Sequence, residues 1–243
     1  MLNYLSAELW RMARRRLDLI WCAAYLLLVG VVALSWTGAP LHQTMEGFRD
    51  FLVIGLYLGY PLAALADGEA RRLGTLRNEV SYGLSRGRIY LGKLLVSTGI
   101  AVLAAVVMMG FYLGLCWVLF PHTELDGMAW QLIGYCLAGA FPLWLAAQAM
   151  VSTCYFLVRG TNIAAFTAAG LLAVLPAILQ AFGILFHPAF EVLRQFMPGV
   201  MLENLKNMAF QWNYVGLCWA AGLAWLAAAT AVGLLAFRRK EIR

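Results

Sequence analysis

The chain has 243 residues, 63% of them hydrophobic and only 12% charged, with a formal net charge of +6. Soluble domains carry about a quarter charged residues, so a water-soluble fold of this composition would leave too much apolar surface uncovered. Nor does the positive charge point to nucleic acid, because the basic clusters lack the interleaved aromatics and soluble fold of such a module.

In chain order, residues 1–16 read as an amphipathic helix lying in the membrane interface. Leu2, Leu5, Leu9 and Met12 recur at helical spacing, Asn3, Glu8, Arg11 and Arg15 take other faces, and Tyr4 and Trp10 suit the headgroup level. A crossing then needs about 20 apolar residues. Six stretches qualify: Leu17–Gly38, Phe51–Ala66, Leu94–Phe120, Ala129–Val158, Ile163–Phe186 and Tyr214–Phe237. The first is longer than the ~7–15 residues of a signal-peptide core, so it is expected to remain as an uncleaved span. The second is short and must borrow a turn at one end. The fourth is too long for one straight span and carries Pro142, which is expected to kink or break it; Pro61 and Pro176 are expected to bend the second and fifth.

The connections separate by charge. All lysines and arginines except Arg49, Arg194 and Lys206 lie in four places: Arg11–Arg16, Arg71–Lys93, Arg159 and the tail from Arg238. With six spans these four fall on one side, which the positive-inside bias makes cytoplasmic, together with both termini. The expected fold is therefore an all-α integral membrane protein forming a single domain, residues 1–243. On the other side Ala39–Asp50 and Pro121–Met128 are short loops. The last outer loop, residues 187–213, is long and apolar, with a helical pattern over Val200–Phe210, and is expected to pack against the membrane edge.

Residues 67–93 hold nine charges, from Asp67 to Lys93, and cannot span, since each would cost ~2.5–3.5 kcal/mol at the bilayer centre. Leu73, Leu76, Val80 and Leu84 share one helical face opposite Arg72, Arg77, Asn78 and Glu79, which predicts a short cytoplasmic helix closed by the Gly83–Gly87 stretch. Within the spans, Gly55 and Gly59, like Gly110 and Gly114, have the G-x-x-x-G spacing that lets helices approach closely, within the chain or across a dimer.

Catalytic motifs are absent from the sequence. Gly87–Lys93 matches the G-x-x-x-x-G-K of a phosphate loop, but Leu94 stands where the magnesium-binding hydroxyl belongs and no strand precedes it. There is no G-x-S-x-G or H-E-x-x-H, and His42, His122 and His187 are read as isolated interfacial histidines. The five cysteines carry no CxxC pair and read as small hydrophobes. Span centres are almost free of ionisable residues, which disfavours an ion-coupled transporter.

The run Asp67-Gly-Glu-Ala-Arg-Arg-Leu-Gly-Thr-Leu-Arg-Asn-Glu79, followed by Ser85–Arg86 and Gly92–Lys93, resembles the cytoplasmic loop of ABC type-2 permeases. Gly83-Leu84 stands where that family usually has a proline before the Ser-Arg pair. The interfacial helix, six spans, long last outer loop and basic tail are similar across nearly the whole chain. The resemblance implies the membrane subunit of a bacterial cytoplasmic-membrane exporter. It also implies a second permease copy, identical or not, a separate cytosolic ATPase that binds the ATP and magnesium, and no cofactor in this chain. Glu69, Arg71, Arg72, Arg77 and Glu79 would dock that ATPase, with Leu73, Leu76 and Val80 seating the coupling helix and Leu5, Leu9, Trp10 and Arg11 forming the interfacial helix. The first, second and fifth spans would line the cleft. Compact permeases of this plan resemble exporters of antimicrobial or cytolytic peptides; drugs, lipids or glycan precursors would suit a similar wall. A six-span membrane sensor or assembly protein is the alternative, and a lipid-modifying enzyme stands third.

Overall fold

The computed structural model describes residues 2–13, 16–36, 38–57, 79–158, 160–208 and 210–239. Among them the structure is helical, with no strand. Helix α1 spans Leu2–Ala13 and α2 spans Arg16–Ser35; a helical run follows from α3 (Leu41–Gly47) through a 3-10 turn, α4 (Phe51–Ile54) and a second 3-10 turn to Tyr57. Then come α5 (Arg86–Leu119), α6 (Asp126–Leu157), α7 (Thr161–Ala169), α8 (Leu175–Leu185), α9 (Ala189–Gln195), α10 (Pro198–Asn207) and α11 (Trp212–Arg239). A π-turn, Gly170–Val174, joins α7 to α8.

Four helical units are long and apolar enough to cross a membrane: α5, α6, the continuous Thr161–Leu185 and α11, with mean hydropathies of 2.4, 1.4, 2.1 and 1.9. They match the third to sixth expected spans. The first expected span is the helix α2. The second is described only to Tyr57, and the rest of it, with Gly59 and Pro61, lies outside the described residues.

Helix α6 is the axis of the molecule. Of its most apolar stretch 67% is buried inside the chain, against 17% for α5 and 22% for α11. Helix α11 packs along it, α10, α7 and α3 cover further faces, and α2 packs on α5. The core holds Leu132, Tyr135, Leu143, Ala147 and Val151 of α6 together with Leu41, Met45, Leu52, Met201 and Leu205.

Pro142 does not break α6, which runs unbroken from Asp126 to Leu157. A proline removes the N–H that would bond the carbonyl four residues back, here Ala138. That carbonyl accepts instead from Trp219 Nε1 of α11 at 2.9 Å. One turn on, Gly222 lies so close that a Cβ there would sit 2.7 Å from the Pro142 carbonyl oxygen. At Pro176 the accommodation is local: the π-turn ends two residues before it.

Two expected loops are helical. Residues 41–50, read as part of a short outer connection, continue into α4 and bury Leu41, Met45, Phe48 and Leu52. Residues 86–93, read as the end of the charged connection, are the first two turns of α5. The 187–213 connection packs back onto the bundle, through Met201, Leu202 and Leu205 of α10, with Leu205 filling the space beside Gly139. Its cations are paired: Arg194 with Glu191 at 2.6 Å, and Lys206 with Asp50. Arg49 donates to the carbonyls of Glu46 and Lys206.

Candidate functional site

The charged connection meets the rest of the chain at a buried ion cluster. Tyr4 and Glu8, one helical turn apart, share the face of α1 that lies on α5. Gly92 lets the Tyr4 ring in: a Cβ there would fall 2.5 Å from Tyr4 Cε1. Leu5 packs beside it against Val96 and Ile100. Under this lid Lys93 Nζ reaches Glu8 Oε1 at 2.7 Å and Glu79 Oε1 at 3.3 Å, with the Lys93 side chain only 1% exposed. The Tyr4 hydroxyl lies 3.3 Å from Glu8 Oε1 and 3.2 Å from Glu79 Oε2, and donates its one proton to this pair of carboxylates. Burial first, then the charges of Glu79 and Glu8, pushes the Tyr4 phenol far above its ordinary value, so it stays protonated.

Glu79 belongs to the last turn of a helix that ends at Ser81. Gly83 at φ 83° closes that turn, and the Leu84 N–H reaches back to the Glu79 carbonyl at 3.2 Å. Of the helix expected over this connection, the stretch before Glu79 lies outside the described residues. Val80 and Leu84 pack on a second apolar cluster, Ile89, Tyr90, Leu94, Phe156 and Phe237. The Tyr90 and Thr153 hydroxyls sit 2.9 Å apart there, and Arg86 donates to the Arg238 carbonyl at 2.8 Å. Three separate stretches, α1, the end of the charged connection and the head of α5, are therefore fastened at one joint.

The expected site residues are distributed unevenly over this joint. Glu69, Arg71, Arg72, Leu73, Leu76 and Arg77 lie outside the described residues, as does the Arg11 side chain. Glu79, expected to face an ATPase, turns inward to Lys93 and Tyr4. In α1, Leu5, expected on one face with Leu9, turns to α5, while Leu9 and Trp10 are 47% and 62% exposed. Glu8, placed on a polar outer face by spacing, is 6% exposed because Lys93 draws it in. Gly55 packs against the Trp144 indole, which donates to the Leu52 carbonyl at 2.9 Å, so its close approach is made within the chain. Gly110 and Gly114 face open space. Sequence reasoning missed Tyr4, Glu8 and Lys93 as a unit; the only local signal was the Tyr-x-x-x-Glu spacing.

On the opposite side, His42 Nδ1 is 3.0 Å from Thr123 Oγ1, and Asp126 accepts from the Thr123 N–H and hydroxyl with His122 3.1 Å away. His187 caps the start of α9 through the Ala189 N–H. Two of the three histidines expected to be isolated thus meet through Thr123 and Asp126. No group of three or more His, Cys, Asp or Glu that could hold a metal occurs among the described residues. Cys116, Cys136, Cys154 and Cys218, the cysteines whose side chains are described, are buried and free.

A cavity of about 240 Å³ separates α2 and α5 from α4 and α6. The helices α7 and α8, expected to line a cleft, contribute nothing to it; its walls come from the first to fourth expected spans.

Fold and joint together define a membrane protein that is helical throughout its described residues, with the end of the charged connection fastened to α1 and to the head of α5. Comparison with known proteins adds no narrower identity: no family model matches the chain, and no curated protein matches it.

Proposed function

We propose that this chain is the transmembrane subunit of an ATP-binding-cassette exporter, with six spans and both termini in the bacterial cytoplasm. It works as a dimer, each half seated on a cytosolic ATPase that binds the nucleotide and magnesium. Its cargo is amphipathic or hydrophobic, most simply a peptide. The observation that carries this reading is the Glu8–Lys93–Glu79 joint with Tyr4. A force applied to the charged connection passes through Glu79 to Lys93, and so to the whole length of α5. Buried, hydrogen-bonded ion pairs are suited to this role, since parting them exposes uncompensated charge. The resemblance of residues 67–93 to a permease coupling loop supplies the source of that force. Closure of the ATPases would drive the connection and rock α5 with α1 against α6.

The test is the double variant Arg72→Glu with Leu76→Asp, which reverses charge and polarity on the two faces of the coupling segment. Loss of ATPase association at unchanged membrane abundance is expected. Intact association would overturn the assignment of that segment.

A further inference from the structure

At the π-turn the fifth expected span divides. Helix α7 packs on α6, whereas α8 packs on α9 and buries Leu179 alone of its own residues. On the uncovered side of α8 stands the Gln180 amide, exposed and without a hydrogen-bond partner among the described residues. Ala177 and Ile184, three residues before and four after, share its face and are exposed as well. Gln180 lies about 8 Å inside the Leu185 end of the span. Beyond it Ile184, Leu185 and Phe186 are still 78%, 72% and 73% exposed, so the apolar, lipid-facing surface continues past the amide. A helical side chain leans toward the N-terminus of its helix, which directs this amide away from the outer surface and toward the middle of the span. Hydrocarbon offers it neither donor nor acceptor, and an amide left bare there is costly.

We propose that this face of α8 is the contact with a second copy of the chain, in which the two Gln180 amides pair across a two-fold axis. Two copies inserted with the same orientation carry Gln180 at the same depth. On an axis along the membrane normal, each amide therefore meets its own counterpart. A primary amide is self-complementary: the N–H of each donates to the carbonyl oxygen of the other, and both are satisfied at once. A different partner would have to present a donor and an acceptor at that depth independently. Ala177 is small enough to let the helices approach here, and Ile184 supplies apolar contact one turn outward. The inference rests on the dimer of the proposed function and requires no ATPase.

The full chain, labelled at its carboxyl terminus with donor or acceptor dye, is reconstituted in phosphatidylcholine vesicles, and energy transfer is followed as it is diluted with lipid. Gln180→Leu should weaken dimerisation about tenfold, the equivalent of about 1.4 kcal/mol for the two amide bonds. A second measurement uses a Cys22→Ala background, in which Cys116, Cys136, Cys154 and Cys218 are buried. There Gln180→Cys and Ile184→Cys should each crosslink to their own counterpart under mild oxidation. Ile178→Cys, exposed but about 160° around the helix from Gln180, should not. A native dimer that Gln180→Leu leaves undiminished, or one that crosslinks through Ile178→Cys and not through Gln180→Cys, overturns this contact while the dimer itself stands. A native chain that stays monomeric at every dilution overturns both. Should Gln180→Leu fail to fold, the crosslinks decide alone.

Discussion

Replacing Lys93 by methionine keeps the length and apolar stem of the side chain and removes only its charge. Glu8 and Glu79, whose side chains are 7% and 16% exposed, would then face each other without a cation. Breaking a buried ion pair from one side costs about 3–5 kcal/mol. Among the described side chains, Leu5 on Val96 and Tyr4 on Gly92 still hold α1 to α5. The loss should therefore release α1 rather than unfold the bundle. In amide hydrogen exchange, protection of Leu5–Trp10 should fall by about a hundredfold or more in Lys93→Met, with α6 unaffected. The triple variant Glu8→Gln, Glu79→Gln, Lys93→Met, which leaves no charge behind, should recover to within about tenfold of the native chain. Native protection of α1 in Lys93→Met, or a triple variant no better than the single, would refute the role of the joint.

Two further outcomes follow from the same contacts. Gly222→Val drives a side chain into the Pro142 carbonyl and should destabilise the α6–α11 pair by about 1–3 kcal/mol; Trp219→Phe, which deprives Ala138 of its donor, should cost about 1–2 kcal/mol, both read from thermal unfolding in micelles. The Tyr4 phenol, raised by burial and by Glu79 and Glu8, holds its proton more tightly when α1 is docked than when it is free. Its contribution to docking is therefore whole below pH 10 and declines as pH rises beyond that, so protection of α1 relative to the base-catalysed intrinsic exchange rate should fall in that range and Tyr4→Phe should flatten the trend.

Where the chemistry was local, it was legible. Tyr214–Phe237 and Ile163–Phe186 lie within two residues of the observed helices, because a 20-residue apolar window is a property of neighbours in the chain. What escaped depends on partners far away in sequence. Arg86–Lys93 read as part of the charged connection because nine charges over residues 67–93 cannot span, and the Glu8 that pairs with Lys93 lies 85 residues earlier. Pro142 looked like a break because the Trp219 that satisfies Ala138 comes 81 residues after that carbonyl. The buried face of residues 41–52 was different: Leu41, Met45, Phe48 and Leu52 show helical spacing, and the polar residues His42, Gln43, Glu46 and Arg49 between them masked it.

The central claim is that a separate ATPase drives this chain through its charged connection. The most direct measurement is affinity purification of the full chain from its native membrane in mild detergent, with mass spectrometry and nucleotide hydrolysis measured on what is retained. The account predicts a stoichiometric cytosolic ATP-binding subunit, hydrolysis in the complex, and loss of both with Arg72→Glu and Leu76→Asp. Recovery of this chain alone as an intact dimer, or an ATPase that stays bound to the double variant, would contradict it.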